Sequence, residues 1–370
     1  MKLITLVLVA IVVASVGYAI LGEDMFLVSN EPLATEETRN FLNEAKELPV
    51  IKKAPEFTGL ISWMNSEPLT LQGLKGKVVA VDFWTYTCIN CIRNIPHIQA
   101  LYDKYQNNGL VVLGVHTPEF EFEKNVDNVR ASVKQYGITY PVVQDNDYDT
   151  WRAFENRFWP ALYLIDAEGN IRYTHFGEGK YAETESAIQQ LLLEADLLSL
   201  DKISRITEPP ASVDFQSIGT PEIYFGAARI NNVGNPISEV QVNESHEFFE
   251  PETVEFNRFY FVGTWRIMPE FAQLVQGEGK ILIRYKANKV NIVFGATGGV
   301  DVLAKIKLDG EYLTEKNKGE DIVFQDNISF LKVKEANLYN LIHTKDDYDT
   351  HTLELIVPST SLQFFAFTFG

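Results

Sequence analysis

Between residues 78 and 200 short apolar runs alternate with longer amphipathic stretches. Val78-Val79-Ala80-Val81-Asp82-Phe83-Trp84 and Leu110-Val111-Val112-Leu113-Gly114-Val115-His116 are compact apolar runs that predict buried strands. Residues 92–102, between them, read as a helix. Phe122 to Tyr136 has helical spacing, and Gly137 suits a helix C-cap. Tyr140-Pro141-Val142-Val143 predicts a short strand, and Tyr148 to Phe158 a further helix. Residues 161–165 and 171–176 predict a hairpin around Ala167-Glu168-Gly169-Asn170. Tyr181 to Leu198 predicts a last helix, apolar at Ile188, Leu191, Leu192 and Ala195. Strands alternating with helices imply a three-layer α/β domain over residues 55–200.

From residue 215 the helical period disappears. Residues 280–286, 288–294 and 302–308 alternate apolar with polar, and Asp309-Gly310 signals a hairpin turn. Residues 352–357 and 362–369 add two strands. Short strands at close spacing, with no helix, predict an antiparallel β-sandwich over 215–370. Residues 201–214, with Glu208-Pro209-Pro210, read as the linker.

The N-terminus has a third pattern. Lys2 precedes an uncharged, mostly aliphatic run from Leu3 to Gly22, closed by Glu23-Asp24. That length is close to the ~20 residues that span a bilayer. The run continues through Ile20-Leu21, which favours an uncleaved anchor; Gly17-Tyr18-Ala19 offers a cleaved signal peptide as the alternative. Lys2 stays cytoplasmic and the rest of the chain lies outside. Residues 23–54 form a charged spacer, with a short helix that Thr35 could cap and that ends before Pro49.

Composition adds limits. A chain of 370 residues suggests two domains, and 46% hydrophobic content with 12% aromatics supports large cores. A net charge of −18 argues against nucleic acid and anionic membrane surfaces as partners.

The chemistry centres on the only two cysteines, Cys88 and Cys91, in Cys88-Ile89-Asn90-Cys91. They follow a predicted strand and open a predicted helix, the context of a redox pair. A disulfide so close in sequence constrains little chain entropy, so it serves as a reagent better than as a staple. The helix N-terminus favours Cys88 as the attacking thiolate, and Cys91, one turn in, resolves the mixed disulfide. Asp82 ends the first strand, six residues before Cys88. Burial there would raise its pKa and let it exchange a proton with Cys91; the alternative is an aspartate that caps a turn. Trp159-Pro160 precedes a strand, as an element boundary or as a cis-proline beside the disulfide that pairs with a substrate chain.

Asp82-Phe83-Trp84-Thr85-Tyr86-Thr87-Cys88, with Cys91 in register, resembles the thioredoxin superfamily. The insert at 122–143 and Val115-His116-Thr117-Pro118-Glu119 resemble its membrane-anchored TlpA/ResA branch. Residues 84–93, 114–120 and 158–161 look like the DipZ-type proteins, as do Thr220-Pro221-Glu222-Ile223-Tyr224-Phe225-Gly226 and the terminal Phe367-Thr368-Phe369-Gly370. The resemblance covers about 55–370. It implies a thioredoxin-like fold followed by a jelly-roll module similar to carbohydrate-binding domains. It implies catalytic roles for Cys88, Cys91, Asp82 and Glu119, with Trp84, Trp159 and cis-Pro160 as substrate contacts. Exported proteins with cysteine pairs, apocytochrome c among them, are the implied substrates, and no metal or organic cofactor is needed. Ile89-Asn90 departs from thioredoxin's Gly-Pro, which leaves the potential open. The chain has at most one apolar span, so a reductase of this kind takes electrons from a separate transmembrane partner.

Zinc needs about four ligands, and a c-type haem needs a histidine where Ile92 stands. A peroxiredoxin-like thiol peroxidase has Thr85 in place but Val81 where that family has proline. His97 reads as a helix-surface residue and His116 as a packed one. Asp346-Asp347-Tyr348-Asp349 reads as an acidic loop before a calcium site. Trp265 or Tyr260 could stack on a glycan if exposed, although core positions are commoner for such aromatics.

Overall fold

The computed structural model describes residues 48–204, 214, 216–237, 241–297, 301–358 and 360–370. The expected anchor at 1–22, the spacer as far as residue 47 and linker residues 205–213 lie outside the described residues. Among the described residues, no helix is long and apolar enough to cross a membrane.

The first sheet is built from β1 (Lys52–Lys53), β2 (Ile61–Met64), β3 (Val78–Trp84), β4 (Leu110–His116), β5 (Val142–Gln144), β6 (Ala161–Ile165) and β7 (Asn170–Phe176). Helices α1 (Ile89–Tyr105), α2 (Val126–Gln135), α3 (Asp149–Ala153) and α4 (Tyr181–Glu194) connect or follow these strands. The strand order is β1-β7-β6-β3-β4-β5-β2. β3 pairs in parallel with β4 and antiparallel with β6, so every residue of β3 is buried, as its apolar run requires. Val79, Val81 and Phe83 join Leu113, Val115 and Tyr163 in one core. Strand alternation turns Asp82 and Trp84 to the opposite face.

Two predicted helices are shorter than their periodicity suggests. The stretch 122–136 divides into a 3₁₀ turn (Glu121–Lys124) and α2, because Asn125 is extended and caps α2 by accepting from the Asp127 N–H. The helix expected from Tyr148 to Phe158 ends at Ala153, shortly before Glu155 takes a positive φ of 58°. His97 is buried, correcting its reading as a surface residue. α1 packs beside α4, placing the His97 ring 4.5 Å from that of Tyr181, and desolvation lowers its pKa to about 4.

The second sheet has twelve strands, from Ile223–Tyr224 to Leu362–Phe369, with antiparallel pairing throughout its named strands. The antiparallel all-β fold is as predicted; hydrogen bonding joins its layers into one continuous sheet. The strand Ala272–Lys286 does this by pairing with Leu362–Phe369 at its start and with Thr350–Val357 further on. It passes between the two through Gly277, at a φ of +70°. Asp309 and Gly310 both have positive φ, as the predicted hairpin turn needs. Trp265 and Tyr260 are buried, the core placement that their type favours, so neither offers the alternative sugar-stacking platform. The Trp265 ring packs on those of Phe261 and Phe364 in the core.

Both sheets belong to one compact unit, and the 3₁₀ turn Leu200–Lys202 falls outside it. At their seam Phe120 and Phe122 pack against Phe365, with ring centroids 5.0 and 4.8 Å apart.

Candidate active site

β3 ends at Trp84, and the backbone turns through Thr85, Tyr86 and Thr87 into α1. Cys88 is the N-cap of α1 and is joined to Cys91 in a disulfide. Its sulfur accepts the Cys91 N–H at 3.1 Å, and its carbonyl accepts the Ile92 N–H at 3.0 Å. The Ile92 bond is the first of the helix; the Cys91 N–H has no carbonyl partner inside it, and with the positive end of the helix dipole it favours negative charge on Cys88. Cys88 is half-buried and Cys91 only 1% exposed. One turn on, Arg93 holds the Asn90 carboxamide at 2.5 Å and pairs with Glu178 at 2.8 Å.

Two buried carboxyl groups adjoin this turn. Asp82 is 2% exposed, its Oδ1 has no hydrogen-bond partner, and desolvation raises its pKa to about 8. Its cross-strand partner is Gly114. A Cβ at Gly114 would lie 2.9 Å from the Tyr140 ring and 3.1 Å from Trp84 Nε1, so glycine leaves room for both beside the aspartate. The second carboxyl, Glu123, is fully buried. Its Oε1 accepts the Thr87 hydroxyl at 2.5 Å; its Oε2 accepts the N–H groups of Glu119 at 2.5 Å and Phe120 at 3.0 Å. Desolvation, and then the charge of Glu119, raise its pKa to about 7 against the lowering effect of these donors.

Sequence reasoning missed Glu123 because a helix continuous from 122 to 136 placed it on an ordinary helical turn. The available signal was a Glu three residues after Phe120, the N3 position from which a carboxylate reaches back to the first N–H of a helical turn.

The other predicted residues are dispersed around the turn. Trp84 has no exposed surface; its ring meets His116 edge-on at 5.3 Å. Fully buried, it presents no face to a substrate, which corrects that expectation. His116 is fully buried with Tyr86 stacked on it, and desolvation lowers its pKa to about 3. Its Nε2 lies 3.3 Å from the Thr85 hydroxyl. The Trp159-Pro160 peptide is cis. Ala161 pairs with Phe83, so Pro160 enters β6 beside the end of β3. The half-buried Trp159 packs on Trp151 and donates its indole N–H to the Thr117 carbonyl at 3.0 Å. The Thr117 N–H in turn reaches the Trp84 carbonyl at 3.0 Å. The Glu119 side chain points into the seam, where Oε1 accepts from Arg229 Nη1 at 2.6 Å and from the Tyr224 hydroxyl at 2.9 Å.

Comparison with known proteins divides the chain in the same way. Residues 50–174 match the AhpC/TSA family, and residues 220–370 match a family described as thioredoxin like C-terminal domain. Protein DipZ of Mycobacterium tuberculosis is 36% identical over 335 residues, covering 90% of this chain and 45% of DipZ. The chain thus spans less than half the length of that relative. The thiol-disulfide oxidoreductase YkuV of Bacillus subtilis is 30% identical over 142 residues, covering 38% of this chain and 95% of YkuV. Among solved structures, the thioredoxin-like superfamily protein SPOA0173 is 32% identical, with a TM-score of 0.36, covering 38% of this chain and 96% of that one.

Proposed function

The chain belongs to the thioredoxin-like thiol–disulfide oxidoreductases, and from that premise we propose that Cys88 and Cys91 are its redox couple and reduce or exchange disulfides in exported proteins. The observation that carries this reading is the asymmetry of the pair: Cys88 half-exposed at a helix N-terminus, Cys91 buried one turn inside.

In the reducing direction the Cys88 thiolate attacks one sulfur of a substrate disulfide. That bond breaks, a Cys88–substrate disulfide forms, and the first substrate sulfur leaves as a thiolate and takes up a proton. Cys91 then loses its proton and attacks the Cys88 sulfur, releasing the second substrate sulfur, which is protonated in turn. Two electrons pass from the dithiol to the substrate, and the protein is left with the Cys88–Cys91 disulfide. Asp82, on the strand beneath the pair, receives the Cys91 proton. The proton role expected of Glu119 passes to Glu123, which is bonded to the residue before Cys88. Pro160 and Trp159 border the substrate chain.

The substrates are exported proteins with cysteine pairs, apocytochrome c among them, reached from an N-terminal membrane anchor. A separate transmembrane dithiol donor restores the reduced form. The alternative thiol peroxidase is disfavoured, because Thr85 is fully buried with its hydroxyl turned to His116.

A Cys91→Ser chain tests the mechanism. Offered a disulfide-bonded protein such as insulin, it should accumulate a Cys88-linked adduct that thiols release. A folded Cys91→Ser chain that traps nothing would refute the assignment.

A further inference from the structure

The second sheet reaches the cysteine turn through a continuous line of contacts. Arg229 follows the strand Ile223–Tyr224. Its guanidinium lies over the Tyr224 ring at 4.1 Å and the Phe120 ring at 5.1 Å, and Nη1 holds Glu119 Oε1 at 2.6 Å. The same oxygen accepts the Tyr224 hydroxyl at 2.9 Å. From Glu119 the line continues through the main chain: its N–H donates to Glu123 Oε2 at 2.5 Å. Glu123 Oε1 accepts the Thr87 hydroxyl, one residue before Cys88.

Each link has a physical consequence. The Glu119 side chain is 11% exposed, so solvent screens its charge poorly. That charge opposes ionisation of Glu123, and Arg229 is the cation placed on it. Tyr86 and Tyr148 also face Glu123, and burial holds both phenols un-ionised. Beyond Thr85, His116 is neutral. On the far side of Tyr224, Glu222 lies 2.8 Å from the hydroxyl, where desolvation at the seam and then the charge of Glu119 raise its pKa to about 7; Glu270 accepts the Glu121 N–H at 3.0 Å. Glu119 is therefore the charge that opposes ionisation of Glu123, and Arg229, from the second sheet, is its partner.

We propose that Arg229 is a positioning residue for disulfide exchange: from the second sheet it anchors and neutralises Glu119, and so fixes the hydrogen bonding and charge around Glu123 beside the cysteine turn. The proposal rests on the role given to Glu123 above. It makes the second module part of the redox centre's tuning, over a separation of 110 residues between Arg229 and Glu119.

The test is the pH profile of the reduced full chain, read as the rate of Cys88 alkylation by iodoacetamide and as insulin reduction. Besides the inflection of the Cys88 thiol itself, the wild type should show a second one near neutrality that Glu123→Gln removes. Arg229→Met should move that inflection to higher pH by about one unit, a tenfold change in the ratio of the two protonation states. Arg229→Lys should restore most of the shift, and in a Glu119→Gln background Arg229→Met should shift nothing. An inflection unmoved by Arg229→Met, or moved equally with and without Glu119, overturns the proposal. Should that second inflection survive Glu123→Gln, the role of Glu123 falls, and this proposal with it. Should Arg229→Met fail to fold, Glu119→Gln alone carries the comparison: the inflection moves to lower pH, and an unmoved one is the contradicting result.

Discussion

Asp82 and Glu123 carry a cost in stability that can be read residue by residue. Both carboxyls are buried and titrate near neutrality, at about 8 and about 7. A carboxyl whose folded pKa lies above its unfolded value keeps its proton in the native state while the unfolded chain has lost it. The native state then binds more protons, so stability falls as pH rises from about 4 through about 8. Asp82→Asn removes that cost. We expect it to stabilise the protein by roughly 2–5 kcal/mol at pH 8, with little gain at pH 4, in denaturant titrations at the two pH values. An equal effect at both would show that Asp82 ionises freely in the native state. The same substitution should slow resolution of the mixed disulfide, seen as longer-lived adducts in single-turnover mixing; unchanged lifetimes would remove Asp82 from the proton path. The residue scale was partly legible in sequence. Cys88, Cys91 and Asp82 stand out by type and spacing, whereas Glu123 acquires its meaning only when Thr87 and the Glu119 N–H converge on it.

At the scale of elements, legibility followed the strength of the local signal. β4 matches its predicted bounds, as do the strands Val302–Leu308 and Leu362–Phe369. β3 is buried on both faces, and the strand Val302–Leu308 has clean alternation, so packing and pattern agree there. The failures lie where capping outweighed periodicity: Asn125 restarts the backbone inside one apparent helix, and Glu155 ends another. The segment carrying Glu119, Phe120 and Glu123 has little regular structure and is held by side chains from both sheets. Phe365, 3% exposed, is central to that hold. Phe365→Ala should cost about 3 kcal/mol in chemical denaturation, as for other buried phenylalanines, and should slow insulin reduction by loosening the segment. A loss below about 1 kcal/mol would mean that the seam is not packed around this ring.

For the whole molecule, two sheets that the sequence separates cleanly act as one unit at the site. Sequence pattern locates each sheet because alternation is local. It is silent about their contact, since Arg229 and Glu119 meet only after both parts have folded. The resemblance carried by 84–93 and 114–120 pointed to the cysteine turn, and the structure adds a contact from the second module, Arg229 to Glu119, near it. The central claim remains that Cys88 and Cys91 form an exchanging couple and not a structural bridge. Its most direct measurement is the Cys88–Cys91 reduction potential, from thiol alkylation of the full chain equilibrated in graded dithiothreitol or glutathione buffers. We expect a value between about −270 and −120 mV, the span of thioredoxin-like couples; one below about −300 mV, where structural disulfides lie, would contradict the account.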